Sequence, residues 1–195
     1  MTGKQRGPYM NSQRRRRRII AAAVKAIGEN GFRHLSMRQL ADEIGISHTT
    51  LVRYFGSKDG LLQAVLEQRE EGERDWRSEL IEQRGLLAAL PEVLAHNMIM
   101  PAIIRLDTTL TLEAIDAEHP AHDFVRQREE DFQESLCIEL LREQRVGRLS
   151  NDVDVEQLAH EIRALVEGLQ LLWLNDPSLD IAETMRDFIQ HVTAS

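Results

Sequence analysis

The residues best suited to act on a partner lie in one short stretch. Between Ser47 and Gly56 the sequence reads His48-Thr49-Thr50-Leu51-Val52-Arg53-Tyr54-Phe55. Leu51 and Phe55, four apart, share one face of a helix, which turns His48, Thr49, Thr50, Val52, Arg53 and Tyr54 outward. Such a helix can lie in a DNA major groove with its outward side chains against base edges. Arg53 is the candidate reader of guanine, because its planar fork fits the O6/N7 pair. Thr49 and Thr50 offer a methyl for thymine or a hydroxyl for phosphate. Tyr54 and Lys58 are placed for backbone oxygens, contacts that set register and carry no sequence information.

Arg14 to Arg18 form a second candidate group. At 100° per residue Arg14, Arg15 and Arg18 fall opposite the stripe Ile20, Ala23 and Ile27, while Arg16 and Arg17 lie nearer it. Basic side chains at a helix amino end oppose the macrodipole, by about 0.3–1 kcal/mol each when exposed. A phosphate partner removes that conflict, so the run reads as an arm on DNA; the alternative is a solvated charge run. Ser36, Arg38 and Ser47 complete the nucleic-acid-facing set with Arg14 and Arg18.

A third group lies in the middle of the chain. On a helix over residues 101–116, Asp107 and Thr111 fall inside the apolar arc of Ile103, Ile104, Leu106, Leu110, Ala114 and Ile115. Burying them unpaired would cost about 1–3 kcal/mol each. Either they line an effector pocket with Trp76, Met98, Met100, Ile104, Phe124 and Phe132, or neighbouring helices satisfy them within the core, with Thr111 free to bond back to its own helix. His119 and His122, beside Asp123, have a metal-ligand spacing; capping and solvation at a helix start is the plainer reading. Cys137 has no thiolate-stabilising cluster beside it and reads as a small buried hydrophobe.

The elements that hold these residues are helical throughout. Apolar residues recur three and four apart along the chain, with neither strand alternation nor a repeat. Residues 1–12, with Gly3, Gly7 and Pro8, read as a disordered basic arm, and the first helix starts near Arg14 and stops at Gly31. Ser36 begins a capping box with Gln39. Ala41 permits close packing of two short helices, and Gly45 makes the turn between them. Ser47 caps the third helix and Ser57 a longer fourth. Gly85, Pro91 and Pro101 punctuate the region that follows into short helices. Pro120 opens another, Asp154 caps the next, and Ile181 to Val192 close the chain. Leu158, Ile162, Leu165, Leu169, Leu172 and Trp173, with Ile181, Met185, Phe188 and Val192, make broad apolar faces suited to a second copy of the chain.

Arg14 to Leu66 resembles the TetR family of bacterial transcription regulators. The resemblance rests on Glu29-Asn30-Gly31-Phe32, on Ser36 to Ala41, and on Ile44-Gly45-Ile46-Ser47. It continues through Leu51-Val52-Arg53-Tyr54-Phe55 and Ser57-Lys58-Asp59-Gly60-Leu61-Leu62. The family usually has tyrosine where Val52 stands and commonly glycine at Thr49, so contacts at those two positions are not transferable. The resemblance implies a homodimer joined through its last two helices, with a variable ligand pocket among the central ones.

The 195 residues, 42% apolar, suffice for a folded core, and a lone cysteine points to a reducing, cytoplasmic setting. No apolar run suits a signal peptide or a membrane span. The net charge of −8 hides an asymmetry: residues 1–60 carry twelve Lys and Arg against four acids, whereas residues 61–195 carry twelve against 28. The expectation is an all-α chain: a helix-turn-helix DNA-binding domain over 13–58, then a helical effector-binding and dimerisation domain over 59–195. It would act as a homodimeric repressor released from a palindromic double-stranded operator by a small-molecule effector, with no cofactor. The alternatives are an activator of the same fold, a metal-dependent helical enzyme using His119, His122 and Asp123, and a basic-arm membrane or RNA binder.

Overall fold

A computed structural model describes residues 7–31 and 34–194, without the side chains of 7–11 and Asn30. Phe32 of the family motif and residues 1–6 of the expected arm lie outside the described residues. Nine helices make up the regular structure described: α1 (Gly7–Asn30), α2 (Met37–Ile44), α3 (His48–Phe55), α4 (Lys58–Arg84), α5 (Leu86–Asn97), α6 (Pro101–Glu113), α7 (His122–Arg145), α8 (Val155–Asn175) and α9 (Ile181–Ala194). Among the described residues no single helix is long and apolar enough to cross a membrane.

The chain divides into two compact units, Met1–Glu71 and Gly72–Ser195. The first takes in the start of α4, so the boundary expected at 58/59 lies inside it. Leu61, Leu62, Val65 and Leu66 explain why: all four are buried.

In the first unit α1 packs on α2 and α2 on α3, around Ile19, Ile20, Ala23, Ile27, Leu40, Ala41, Ile44, Leu51 and Phe55. Each large apolar side chain buried there contributes about 1.5–3 kcal/mol. Helix α1 is already formed at Gly7, ahead of the expected start near Arg14, so residues 7–12 are helical.

The α2–α3 turn is built as its residues dictate. Gly45 ends α2 at φ +71° and ψ +41°. There Ile46 N–H bonds the Ala41 carbonyl at 2.9 Å and Gly45 N–H bonds that of Asp42 at 3.2 Å. This paired closure needs a left-handed residue, which glycine supplies without a Cβ clash. Ser36 Oγ accepts from Gln39 N–H at 3.4 Å, the serine half of the expected capping box. Ser57 Oγ accepts from Gly60 N–H at 3.1 Å.

In the second unit α5 packs against α9 and α7, α7 against α8, and α6 against α8. Pro91 lies inside α5 and does not divide it, contrary to expectation. The lost hydrogen bond and ring clash cost about 3 kcal/mol; burial of Leu86, Leu87, Leu90 and Leu94 on the same helix outweighs that. Helix α7 starts at His122, two residues beyond Pro120.

Candidate nucleic-acid interface

Helix α3 is fixed from beneath and open above. Leu51 and Phe55 are buried, while His48, Thr49 and Arg53 are exposed, and Thr50, Val52 and Tyr54 are half-buried. Ser47 is occupied as the cap: its Oγ accepts Thr50 N–H at 3.1 Å and lies 2.8 Å from Thr50 Oγ1. The two hydroxyls therefore satisfy each other. Tyr54 Oη lies 3.3 Å from Ser12 Oγ, which links α3 to the beginning of α1. Three exposed side chains, His48, Thr49 and Arg53, thus remain uncommitted on the outer face, with Arg38 exposed on α2 and Lys58 half-buried at the start of α4.

The arginine run splits by task. Arg18 Nη2 donates to the Ile44 carbonyl at 3.0 Å, closing the end of α2. Arg16 lies 3.5 Å from Glu67 and 5.7 Å above the Phe55 ring. Arg14, Arg15 and Arg17 are exposed. Arg18, expected to meet phosphate, thus gives part of its fork to the α2–α3 turn; its other donors remain for an anion. Glycine at position 60 is a requirement the sequence pattern conceals, because a Cβ there would stand 2.0 Å from the Phe55 carbonyl oxygen. The close approach of α4 to the end of α3 sets where α3 points.

The expected effector residues lie in differing surroundings. Ile104 is buried; Met98 and Phe124 are half-buried; Met100 and Phe132 are 39% and 36% exposed. Trp76 stacks on His96 with ring centroids 4.4 Å apart, and His96 lies 3.6 Å from Glu73. Asp107 and Thr111 are met by Arg128, whose Nη2 lies 2.5 Å from Asp107 Oδ1 and 3.4 Å from Thr111 Oγ1. Arg128, from a neighbouring helix, sets its charge beside Asp107, whose buried Oδ1 accepts no hydrogen bond among the described residues. The pairing extends from Arg128 to Glu129 at 3.3 Å, from Glu129 to Arg163 at 2.8 Å, and from Arg163 to Glu167 at 3.0 Å, tying α6, α7 and α8 together. Burial pushes the Glu129 carboxyl above its ordinary range against the pull of Arg163 and Arg128.

Two clefts open elsewhere in the second unit, and none of the eight expected effector residues lines either. One, about 270 Å³, lies between α5 and α9; the other, about 440 Å³, lies between α4 and α7.

His119 and His122 serve the chain itself. Ala121 N–H donates to His119 Nδ1 at 3.2 Å, and His122 Nδ1 lies 2.8 Å from the Ala114 carbonyl. Among the described residues no three His, Cys, Asp or Glu side chains converge as metal ligands. Burial raises the pKa of the Cys137 thiol, with Glu156 adding to it, which suits a packing role.

Of the apolar stripe expected between copies, Leu158, Ile162, Leu169, Ile181 and Met185 are consumed by the second unit's own core. That core includes α5, which the sequence reading did not set against α9. Leu165, Trp173, Phe188 and Val192 are partly buried against it. Leu172 stands 55% exposed, beside an exposed Leu171 that the stripe omitted.

Comparison with known proteins agrees with this arrangement. Residues 19–65 match the family described as bacterial regulatory proteins, tetR family, and residues 107–188 match the tetracyclin repressor-like C-terminal domain. The HTH-type transcriptional repressor AcnR of Corynebacterium diphtheriae is 22% identical over 93% of this chain and 92% of its own length. The HTH-type transcriptional regulator UidR of Escherichia coli is 27% identical over 81% of this chain and 94% of its own. In fold, the chain resembles the transcriptional regulator FadR from Bacillus subtilis, solved in complex with stearoyl-CoA. That likeness has a TM-score of 0.71 at 19% identity, covering 91% of this chain and 97% of that one.

Proposed function

Because the chain belongs to the TetR family of bacterial transcription regulators, DNA-binding proteins and not enzymes, we propose that it is a homodimeric repressor released from its operator by a small-molecule effector. The observation that carries this reading is the exposed triad His48, Thr49 and Arg53 on a helix whose opposite side is buried. Two such helices, one from each copy, would enter successive major-groove faces of a near-palindromic site about 34–36 Å apart or somewhat more. Arg53 reads a guanine; Tyr54, Lys58, Arg14 and Arg38 hold phosphates and set register. Repression is supported by the likeness to AcnR, and effector control by the match of residues 107–188 to a repressor-like C-terminal domain. An effector that favours the DNA-incompetent dimer by about 1–3 kcal/mol weakens operator binding roughly 5- to 150-fold. The site of action is the bacterial cytoplasm.

In-vitro selection of bound duplexes, repeated with Arg53→Ala, tests the reading. The wild type should enrich a two-fold-related sequence, and the variant should lose about 1–3 kcal/mol of discrimination at one base pair of each half-site. Unchanged discrimination by the variant removes Arg53 from the reading surface. A reporter behind the selected operator should rise when the protein is deleted; a fall replaces repression by activation.

A further inference from the structure

The cleft between α4 and α7 has a charge balance opposite in sign to that of the stretch of chain it belongs to. Residues 61–195 carry more than twice as many acids as bases, yet three arginines line this opening: Arg74 and Arg77, one turn apart on α4, and Arg142 on α7. Arg142 lies 3.7 Å from Glu139. Arg74 and Arg77 make no ion pair or hydrogen bond among the described residues, although Arg77 is half-buried. A half-covered guanidinium without an acceptor has lost hydration and gained nothing in return. Each wall also supplies a hydroxyl, Ser78 from α4 and Ser135 from α7. The remaining charges are Glu82 and Glu139, which leave the cleft one positive charge in excess.

We propose that this cleft is a binding site for a small oxyanion-bearing ligand, a carboxylate or a phosphate, held between the α4 and α7 arginines. Guanidinium forks match both groups bidentately, and the roughly 440 Å³ of the cleft falls in the size range of small-molecule sites. The two serines supply hydroxyls for oxygens the arginines do not reach. Glu82 opposes the anion and so limits its affinity. Helix α4 continues from this cleft to Leu61, Leu62, Val65 and Leu66 of the first unit without a break. A ligand clamping Arg74 and Arg77 to Arg142 would therefore restrain the helix that carries the DNA-reading unit. This regulatory consequence rests on the function proposed above; the binding itself does not.

The test uses the full chain at constant ionic strength, with citrate and inorganic phosphate as probes and glucose as the uncharged control, followed by titration calorimetry. The wild type should bind one or both anions saturably and glucose not at all; the tighter anion identifies the head group. The Arg77→Gln/Arg142→Gln double variant should bind about tenfold more weakly or worse, and Glu82→Gln about threefold more tightly. The gain in Glu82→Gln keeps the proposal falsifiable if the double variant does not fold. No saturable binding of either anion, or equal affinity in wild type and double variant, overturns the site. If DNA is selected and the anions do not bind, the site falls and the regulator stands. If the anions bind and no DNA sequence is enriched, the site stands and the DNA reading falls.

Discussion

Glu143 is the buried charged side chain of the described residues, 2% exposed, and its contacts define what it does. Its Oε1 accepts Leu86 N–H at 2.6 Å, and its Oε2 lies 2.5 Å from Arg148 Nε. It thereby joins the start of α5 to the turn after α7. The sequence did signal this, because Glu143 sits three and seven residues beyond Leu140 and Leu136, on their buried face. A charged surrounding run concealed it. Glu143→Ala leaves the Leu86 N–H without an acceptor and should lower unfolding free energy by about 1–3 kcal/mol in a urea titration; Glu143→Gln, which retains the acceptor, should lose less. Equal losses in the two variants would remove the hydrogen bond as the cause. Gly60 makes a different demand. With a Cβ placed 2.0 Å from the Phe55 carbonyl oxygen, Gly60→Ala must shift α4 against α3, at about 1–3 kcal/mol. Because that shift reorients the reading helix, operator affinity should fall by more than thermal stability alone explains. A variant with wild-type melting and wild-type DNA affinity would show that the contact relaxes freely.

At the scale of elements, α2 and α3 were legible to the residue, because serine caps and glycine stops are local chemistry: Ser36 and Ser47 accept the bonds their positions dictate. Two features were not legible for the opposite reason. Pro91 stays within α5 because the leucines around it are buried by α9 and α7, and the stripes of α8 and α9 look wider than one neighbour needs until α5 takes its share. Both depend on which helix lies opposite, which periodicity does not reveal. Asp107 and Thr111 fall between these cases: the wheel placed them in the apolar arc, and Arg128, a residue of α7, supplies the charge that stands beside them. The same Arg128–Glu129–Arg163 ladder sets a pH dependence. Burial raises the Glu129 pKa, so the folded state takes up its proton at higher pH than the unfolded chain. The resulting stabilisation is complete below the ordinary carboxylate value of 4.5 and is lost as pH rises through the folded value. In chemical denaturation across pH 4 to 7, wild type should therefore gain stability relative to Glu129→Gln as pH falls. A difference independent of pH would show that Arg163 and Arg128 cancel the burial completely.

For the whole molecule, the net charge of −8 is a poor guide to partners, since the basic balance of residues 1–60 is outweighed by acids further along. An acidic body repels DNA wherever it is not shielded by the reading heads, so a single copy would gain little from non-specific attraction, and affinity must come from two heads acting together. The proposed dimer then has to form between two bodies that each carry a net negative charge, which requires an apolar contact strong enough to overcome the repulsion. Leu171 and Leu172, 47% and 55% exposed near the end of α8, are the large apolar side chains best placed for it, since the core takes the rest of the stripe wholly or in part. Leu172→Glu adds one charge per copy to that face and buries no existing group, so each chain should fold normally and sediment as a monomer. Joining two heads raises affinity by about 10²–10⁴ over one, and the variant should lose operator binding in that range. Its salt dependence should change in parallel: the slope of log affinity against log salt is about −0.9 per phosphate neutralised, so a single head should show half the wild-type slope. A variant that remains dimeric, or a monomer that keeps the wild-type slope, would place the contact between copies away from α8.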